Sequence, residues 1–416
     1  MKMNKINQNS CRLTVLLSNS LMVLLSYGFF SGCKEEGRID YFDRNAPAPE
    51  QVTEITVRNT PGGAVLKYKL PNDKNLLYVK ALYEIQPGVI REAKASYVVD
   101  SLVLEGYGDV RTYDVELFSV GKNEKVSASQ IVQVTPTTPP VLLATKSMRE
   151  AFGGLRIDVI NPEKAALAFV LLADTAKLGY FTELYTFYIG RDQEKATFSF
   201  RGLDTLQFNF GVYCRDRWEN YSDTVYASLK PWFEEFIPKN TWSIFALPGD
   251  PGVVSGFPLS NMWNGVTGLV AGNNYHTLDV PLPTTATWNL GQTVVLSRFQ
   301  IWPRNHPNGD DMWVRGHPKV FELYGSMAPN SDGSMDDSWT PLGRFEIVKP
   351  SGDGPVTQDD INASVAGFEF DFEVNEFAPD PFVQVRYLRL RTLSTYANTT
   401  ISPVSIKEIS FWGIIQ

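Results

Sequence analysis

The chain has 416 residues and a formal net charge of −8. That length exceeds what one hydrophobic core usually spans and predicts about three domains. The acidic balance excludes a nucleic-acid partner, because the sequence has no basic stripe that could replace phosphate counterions. No apolar run after the N-terminal segment approaches the roughly 20 residues that a membrane-spanning helix needs, so no later span is expected.

The N-terminal segment has the layout of a secretory signal. A basic start precedes an apolar run over residues 13–30, and Ser31, Gly32 and Cys33 follow it. Small residues directly before a cysteine resemble a bacterial lipobox, whose thiol receives diacylglycerol before cleavage on its N-terminal side. We therefore predict a signal peptide at 1–32 and lipidation of Cys33. The alternatives are an ordinary signal peptide and a membrane helix that ends near a cysteine.

The residues after the cleavage point bear on location. The run Cys33-Lys34-Glu35-Glu36 resembles the signal with which Bacteroidetes send lipoproteins to the outer leaflet of the outer membrane. This resemblance implies a lipid-anchored protein of the outer membrane that faces the cell exterior. A polar spacer is predicted at 33–48, before the first folded segment.

Removal of the signal changes both the charge and the cysteine content. Residues 1–32 hold three basic and no acidic side chains, so their loss moves the formal charge from −8 to −11. Cys11 leaves with the signal and Cys33 carries lipid, so only Cys214 remains and no intramolecular disulfide can form. Because Cys214 follows an alternating apolar run, we predict a core or strand residue rather than a nucleophile.

Between the spacer and residue 235, apolar residues recur with a period of two. Short alternating runs separated by turn residues predict antiparallel sandwiches, and the prolines within 135–140 mark a boundary between two of them. We therefore predict one β-sandwich at 49–136 and a second at 137–235. Both resemble the fibronectin type III-like modules of Bacteroidetes surface lipoproteins, through runs that include Pro49-Glu50-Gln51-Val52 and Val212-Tyr213-Cys214-Arg215-Asp216.

The third predicted domain, at 236–416, differs in composition. It contains all three histidines and seven of the nine tryptophans, and spacer domains rarely concentrate side chains suited to recognition in this way. Four strands are predicted in it: Val294–Trp302, Val320–Gly325, Tyr387–Leu393 and Ile406–Gly413.

An ordered set of motifs in this domain resembles a discoidin, or coagulation factor 5/8 type C, domain. The set includes Asn261-Met262-Trp263-Asn264-Gly265, Arg298-Phe299-Gln300-Ile301-Trp302-Pro303-Arg304, Pro318-Lys319-Val320-Phe321-Glu322-Leu323-Tyr324-Gly325 and Ile406-Lys407-Glu408-Ile409-Ser410-Phe411-Trp412-Gly413. The resemblance implies a galactose-binding-like jelly roll with its ligand loops at one end. The predicted fold class is thus all-β: two small fibronectin III-like sandwiches followed by a discoidin-like jelly roll.

The connection from Pro303 to Pro318 is the predicted ligand loop. It joins two predicted strands and mixes aromatic, guanidinium, amide and imidazole groups, which suit sugar stacking and hydroxyl recognition. In the resembled family this connection helps to form the ligand end, together with the loop after Trp263. The predicted ligand contacts are Arg304, His306, Trp313 and Arg315, with Tyr275, His276 and Tyr396 added from elsewhere. The alternative is that Arg315 and His317 only hold the loop in place.

No cofactor is expected to be required, although the resemblance implies a structural calcium ion near the final strand, with Glu408 as one ligand. The acidic segment 330–337 lacks the spacing and closing Glu of an EF-hand and is predicted to be a hairpin turn. No catalytic motif is present, so we do not expect an enzyme; a glycosidase pair of carboxylates stays an alternative.

These observations lead to a hypothesis about function. The chain is expected to be a non-catalytic, surface-anchored lipoprotein that binds polysaccharide or oligosaccharide for a polysaccharide-utilisation system. Expected partners are the glycan, the membrane through the lipid anchor, and neighbouring outer-membrane transporters and hydrolases, with no nucleic acid. The alternative is a protein-binding scaffold or adhesin that uses the same domain, because discoidin-like domains also bind proteins.

Overall fold

The computed structural model describes residues 43–305, 312–372 and 382–416. The described residues divide into two compact units, one up to Thr137 and one from Thr138 to Gln416. Within the described ranges, no helix combines the length and apolar character required to traverse a bilayer. The lipidation site predicted at Cys33 and the predicted ligand contact His306 lie outside the described residues.

The first unit contains two antiparallel sheets. Their orders are β1-β2-β5 and β4-β3-β6-β7. The strands are β1 (Thr53–Thr60), β2 (Gly63–Lys69), β3 (Leu76–Gln86), β4 (Val89–Ser96), β5 (Ser101–Glu105), β6 (Tyr113–Gly121) and β7 (Gln130–Val134). In β2, Leu66 and Tyr68 are buried while Lys67 and Lys69 are exposed. The alternation read from the sequence therefore identifies the buried face of this strand.

The second unit begins with another two-sheet sandwich. Its sheet orders are β12-β9-β8 and β11-β10-β13-β14. A short helix, Pro140–Leu143, precedes the strands β8 (Thr145–Ala151), β9 (Gly154–Ile160), β10 (Leu167–Asp174), β11 (Thr182–Ile189), β12 (Lys195–Arg201), β13 (Phe208–Arg215) and β14 (Val225–Leu229). Cys214 is fully buried in the core of this sandwich beside Phe210 and Val212. The prediction that the lone cysteine is a core residue is confirmed.

The rest of the second unit forms a larger β-structure. Its main sheet has the order β15-β25-β19-β23-β20-β21, and β16, β17 and β22 pair beside it. The strands are β15 (Glu235–Phe236), β16 (Ser243–Ile244), β17 (Tyr275–His276), β18 (Val280–Pro281), β19 (Thr284–Pro303), β20 (Pro318–Ser326), β21 (Thr340–Glu346), β22 (Phe368–Asp371), β23 (Gln384–Thr395), β24 (Ile401–Ser402) and β25 (Ser405–Ile415). One α-helix, Gln358–Ala366, and two 3-10 turns, Lys239–Thr241 and Leu259–Trp263, complete the described part.

Strand β19 lets this sheet fold into two layers. Its first half, up to Asn289, pairs with β23, and a shift of register follows before Val294. The second half pairs with β25 and β22, and at Val294 and Val295 still with β23. An irregularity of this kind bends a strand, so one long strand can serve both layers around an aromatic core that includes Trp288 and Phe299. The all-β prediction is confirmed, and the four predicted strands lie within β19, β20, β23 and β25.

An ion-pair network joins the first sandwich of the second unit, β8–β14, to the larger β-structure, β15–β25, which we call its second sandwich. Arg156 on β9 is 1% exposed, and its Nη2 lies 2.9 Å from Oδ2 of Asp371 on β22. Arg201 on β12 pairs with the same carboxylate and also with Glu234, at 3.2 Å. Arg298, on β19 of the larger β-structure, also pairs with Glu234, with 3.2 Å between its Nε and Glu234 Oε1. A buried guanidinium requires such partners, so the network fixes how these two sandwiches meet.

Candidate functional site

Three loops meet at the start of β25. They are 264–274, the described parts of the predicted ligand loop (304–305 and 312–317), and 396–404, which includes the short strand β24; we call these described residues the loop cluster. The Arg304 N–H donates to Ser405 O at 3.3 Å, and the Ser405 N–H donates to Gly316 O at 2.8 Å, so the start of β25 lies between the two stems of the predicted ligand loop. The Ala397 N–H donates to Arg315 O at 3.1 Å, which attaches the third loop.

Gly316 is required where this loop approaches β25. A Cβ atom at Gly316 would lie 2.9 Å from Pro403 O and 3.2 Å from Ser405 N, closer than side chains tolerate. Nearby, Trp313 and Arg315 have φ values of 58° and 45°, in the left-handed region that non-glycine residues seldom occupy. The loop is therefore held in a costly conformation by its surroundings, a condition found often at binding sites.

Trp313 is part of the core and does not project from the loop. Its side chain is 5% exposed, and its Nε1 donates to Asp360 O at 3.1 Å. The ring meets Tyr396 edge to face at 5.1 Å between centroids and also contacts Phe368. Neither face of the indole is available to a sugar, so burial removes Trp313 from the predicted ligand contacts.

The buried His317 side chain stabilises the described end of the loop through a hydrogen bond. Its Nδ1 accepts a hydrogen bond from the backbone N–H of Trp313 at 2.9 Å, so the ring proton of the neutral form belongs on Nε2. Burial lowers the pKa of His317 to about 3, because the charged imidazolium would lose its hydration. The imidazole is therefore neutral at physiological pH and structural, as one of the two sequence-based interpretations held.

The remaining predicted contacts differ in accessibility. Arg315 is exposed, and Arg304, His276 and Tyr396 are half-buried. The Tyr396 hydroxyl donates to Ile347 O at 2.8 Å, which orients the ring across the base of the loop. Tyr275 is 2% exposed and belongs to the core, so it cannot reach a ligand. Arg315, and to a lesser degree Arg304, His276 and Tyr396, are thus the predicted side chains that remain partly accessible in the loop cluster.

Lys407 is a structural residue of the loop cluster that sequence reasoning missed. It is buried on β25, yet its Nζ donates to Val270 O and, at 2.7 Å, to Gly272 O. Burial, together with the neighbouring Arg304 guanidinium, lowers its pKa. The buried ammonium thus fixes the loop 264–274 beside Arg304. A lysine within an apolar strand pattern is the sequence signal that could have identified it.

Glu408 does not fit a calcium ligand. Its carboxylate is buried, forms an ion pair with the Lys239 ammonium, and accepts the Gly265 N–H at 2.8 Å. Burial raises the pKa of Glu408, and the contact with Lys239 opposes that rise. The Lys239 ammonium already supplies the positive charge beside this carboxylate. Within residues 43–305, 312–372 and 382–416, no group of three or more His, Cys, Asp or Glu side chains could hold a metal ion.

The acidic segment 330–337 connects β20 and β21, which pair antiparallel, as the predicted hairpin requires. Its carboxylates bond within the turn: Asp332 Oδ1 accepts the Ser334 N–H at 2.9 Å, and Asp336 Oδ1 accepts the Ser338 N–H at 2.9 Å. These bonds lower the pKa of both aspartates. The segment is a hairpin turn stabilised by its own side chains.

Comparison with known proteins adds family information. Three models of domains of unknown function match the chain: DUF4959 at 49–136, DUF5126 at 137–240 and DUF5000 at 263–413. No curated protein matches it. A solved SusE-like protein is 30% identical; the match covers 67% of this chain and 100% of that chain, with a TM-score of 0.44.

Carbohydrate-binding modules are also among the similar structures. One is CBM32-3 from a family 31 glycoside hydrolase of Clostridium perfringens, at 16% identity, covering 43% of this chain and 95% of that chain with a TM-score of 0.29. Another is the family 32 module from Streptococcus pneumoniae EndoD, at 14% identity, covering 43% of this chain and 100% of that chain with a TM-score of 0.29.

Proposed function

The chain belongs to the family of SusE-like proteins, and from this membership we propose that it is a non-catalytic protein that binds carbohydrate at the cell surface. The observation that carries the proposal is the 30% identity to a SusE-like protein over the whole of that protein. The finer role we propose is capture of polysaccharide for a utilisation system, with neighbouring hydrolases and an outer-membrane transporter as partners.

We assign the binding site to the loop cluster. Arg304 and Arg315 supply guanidinium donors that suit sugar hydroxyls, and His276 adds an imidazole from β17. Asn305, which follows Arg304, has a buried amide whose oxygen and nitrogen find no hydrogen-bond partner among the described residues. Buried polar atoms of this kind bond to ordered water or to a ligand. The cluster therefore concentrates polar groups where the loops meet.

The test is affinity electrophoresis of the mature protein in gels that contain starch, laminarin, xyloglucan, galactomannan or yeast mannan. Retardation by at least one polymer is expected. Arg315→Ala should weaken binding roughly tenfold, because a charged hydrogen-bond donor to the ligand is lost. The matched control is Arg386→Ala, since Arg386 is exposed and lies near the start of β23, at the end away from Tyr396.

Other results would argue against the proposal. A folded protein that no polymer retards would contradict carbohydrate binding and favour the adhesin or scaffold alternative. Equal retardation of Arg315→Ala, Arg386→Ala and the unaltered protein would contradict the site assignment. Release of reducing ends from a bound polymer would show that the protein is an enzyme.

We further propose lipid anchoring at Cys33 in the outer membrane, with the folded part facing the cell exterior. Metabolic labelling with radioactive palmitate should mark the unaltered protein and not the Cys33→Ser variant. Added protease should digest the anchored protein on intact cells. A labelled Cys33→Ser variant would contradict the anchor, and full protection on intact cells would contradict the outward orientation.

A further inference from the structure

A cavity of about 580 Å³ lies between the two sandwiches of the second unit, away from the loop cluster. We call it the junction cleft. Its volume falls in the range typical of small-molecule sites, which often form where domains meet. Its lining residues are Glu150, Thr205, Lys230, Pro231, Trp232, Phe233, Phe382 and Ile414.

The aromatic wall of the junction cleft is fixed from behind. Phe152, Trp232 and Phe382 contact one another with ring centroids 4.9 to 5.7 Å apart, so each sandwich contributes to one aromatic group. Phe233 and Phe382 are 51% and 48% exposed. Phe382, which these ring contacts hold in place, can stack against the C–H face of a sugar at little entropic cost, and Phe233 adds a second exposed ring beside it.

Polar groups lie beside the aromatic wall. Glu150 Oε1 accepts a hydrogen bond from the backbone N–H of Lys230 at 2.9 Å, which places the carboxylate at the edge of the junction cleft. The Lys230 side chain is exposed and forms no ion pair within the described part of the chain. One carboxylate and one ammonium balance in charge, and the chain as a whole carries −8. These charges favour an uncharged ligand over a polyanion.

Ion pairs lie directly behind the aromatic wall of the junction cleft. Arg201 Nη1 donates to Phe152 O and lies 3.2 Å from Glu234 Oε1, so the ion-pair network ends directly behind the aromatic group. A site whose walls are already ordered binds without the cost of bringing two domains together.

We propose that the junction cleft is a second saccharide-binding site that takes an uncharged sugar ring. Its ligand class rests on the proposed function, but the site is separate from the loop cluster. One polymer chain that occupies both sites gains from the high effective concentration of its second segment. The protein should consequently bind a polymer more tightly than a short oligosaccharide of the same linkage.

The test uses the mature full-length protein and the polymer that retards it most among starch, laminarin, xyloglucan, galactomannan and yeast mannan. Phe233→Ala removes one exposed face, and among the described residues Phe233 has no ring contact whose loss would disturb the junction. We expect roughly tenfold weaker binding for Phe233→Ala and a larger loss when Arg315→Ala is added. The matched control is Tyr180→Ala, an exposed aromatic residue on the loop between β10 and β11.

Each outcome decides between the two sites. If Arg315→Ala weakens binding and Phe233→Ala does not, the junction cleft proposal is overturned and the proposed function stands. If only Phe233→Ala weakens binding, the junction cleft is supported and the loop cluster loses its assignment. If no polymer retards the protein, both fail. If Phe233→Ala leaves polymer binding unchanged but lowers the molar mass of the protein in analytical ultracentrifugation, the junction cleft is a self-association surface and the proposal is overturned.

Discussion

His317 links the conformation of the predicted ligand loop to pH. Its pKa in the folded protein is lowered to about 3, whereas the ordinary value is 6.5. As the pH falls below about 6.5 the unfolded chain therefore takes up a proton at this residue, and the folded protein does not. The stability that neutral His317 contributes is fully present above pH 6.5 and is lost progressively towards pH 3.

We expect this residue alone to lower the free energy of unfolding by roughly 3 kcal/mol at pH 4 relative to pH 7. Urea denaturation across this pH range measures the effect. The control is His317→Asn, because an amide oxygen can still accept the Trp313 N–H and does not titrate. The variant should lose less stability on acidification than the unaltered protein. Parallel pH profiles would show that His317 is not responsible.

The close approach of Gly316 to the start of β25 leads to a second prediction about a single residue. Gly316→Ala would place a methyl group 2.9 Å from Pro403 O, so the loop stem must move away from the start of β25. We expect weaker carbohydrate binding together with a loss of roughly 1 to 3 kcal/mol of stability. Gly354→Ala is the control, since a Cβ atom there meets nothing within 4 Å. Equal effects of the two substitutions on gel retardation would contradict this role.

At the scale of the elements, Asp371 on β22 determines how the two sandwiches of the second unit meet. Its carboxylate is the partner of Arg156, which is almost completely buried, and of Arg201. Asp371→Ala would leave a buried guanidinium without its counter-ion, which typically costs about 3–5 kcal/mol. Thermal unfolding should show a large decrease in the midpoint. Asp279→Ala, at an exposed position, should have little effect, and similar midpoints for both variants would contradict the role of the network.

The strands themselves follow from local pattern. Leu323 on β20 and Leu390 on β23 are buried, as the apolar positions of their alternating runs predict, although their polar neighbours Glu322 and Arg389 are buried too. The sequence pattern does not reveal the register shift in β19 between Asn289 and Val294. Pairing partners depend on segments far away along the chain, and a period of two is the same whichever strand lies beside it.

At the scale of the whole molecule, the second unit should bind on its own. Residues 138–416 contain both hydrophobic cores of that unit, together with the loop cluster and the junction cleft. A fragment of these residues is therefore expected to be retarded by the same polymer, and as strongly, as the mature protein. Affinity electrophoresis of the two side by side checks this. A fragment that is folded but not retarded would show that the first unit takes part in binding.

The sequence by itself determined the all-β class, the main strands of the C-terminal part and the burial of Cys214, because period-two alternation reports which face of a strand avoids water. Only the tertiary structure decided which polar and aromatic side chains are accessible. Trp313 and Tyr275 carry the chemistry of sugar contacts but pack in the core, and Glu408 is taken by Lys239. The junction cleft combines Phe233 and Phe382, which are far apart in sequence. Accessibility depends on which distant segments cover a side chain, and a residue's type and its local spacing do not carry that information.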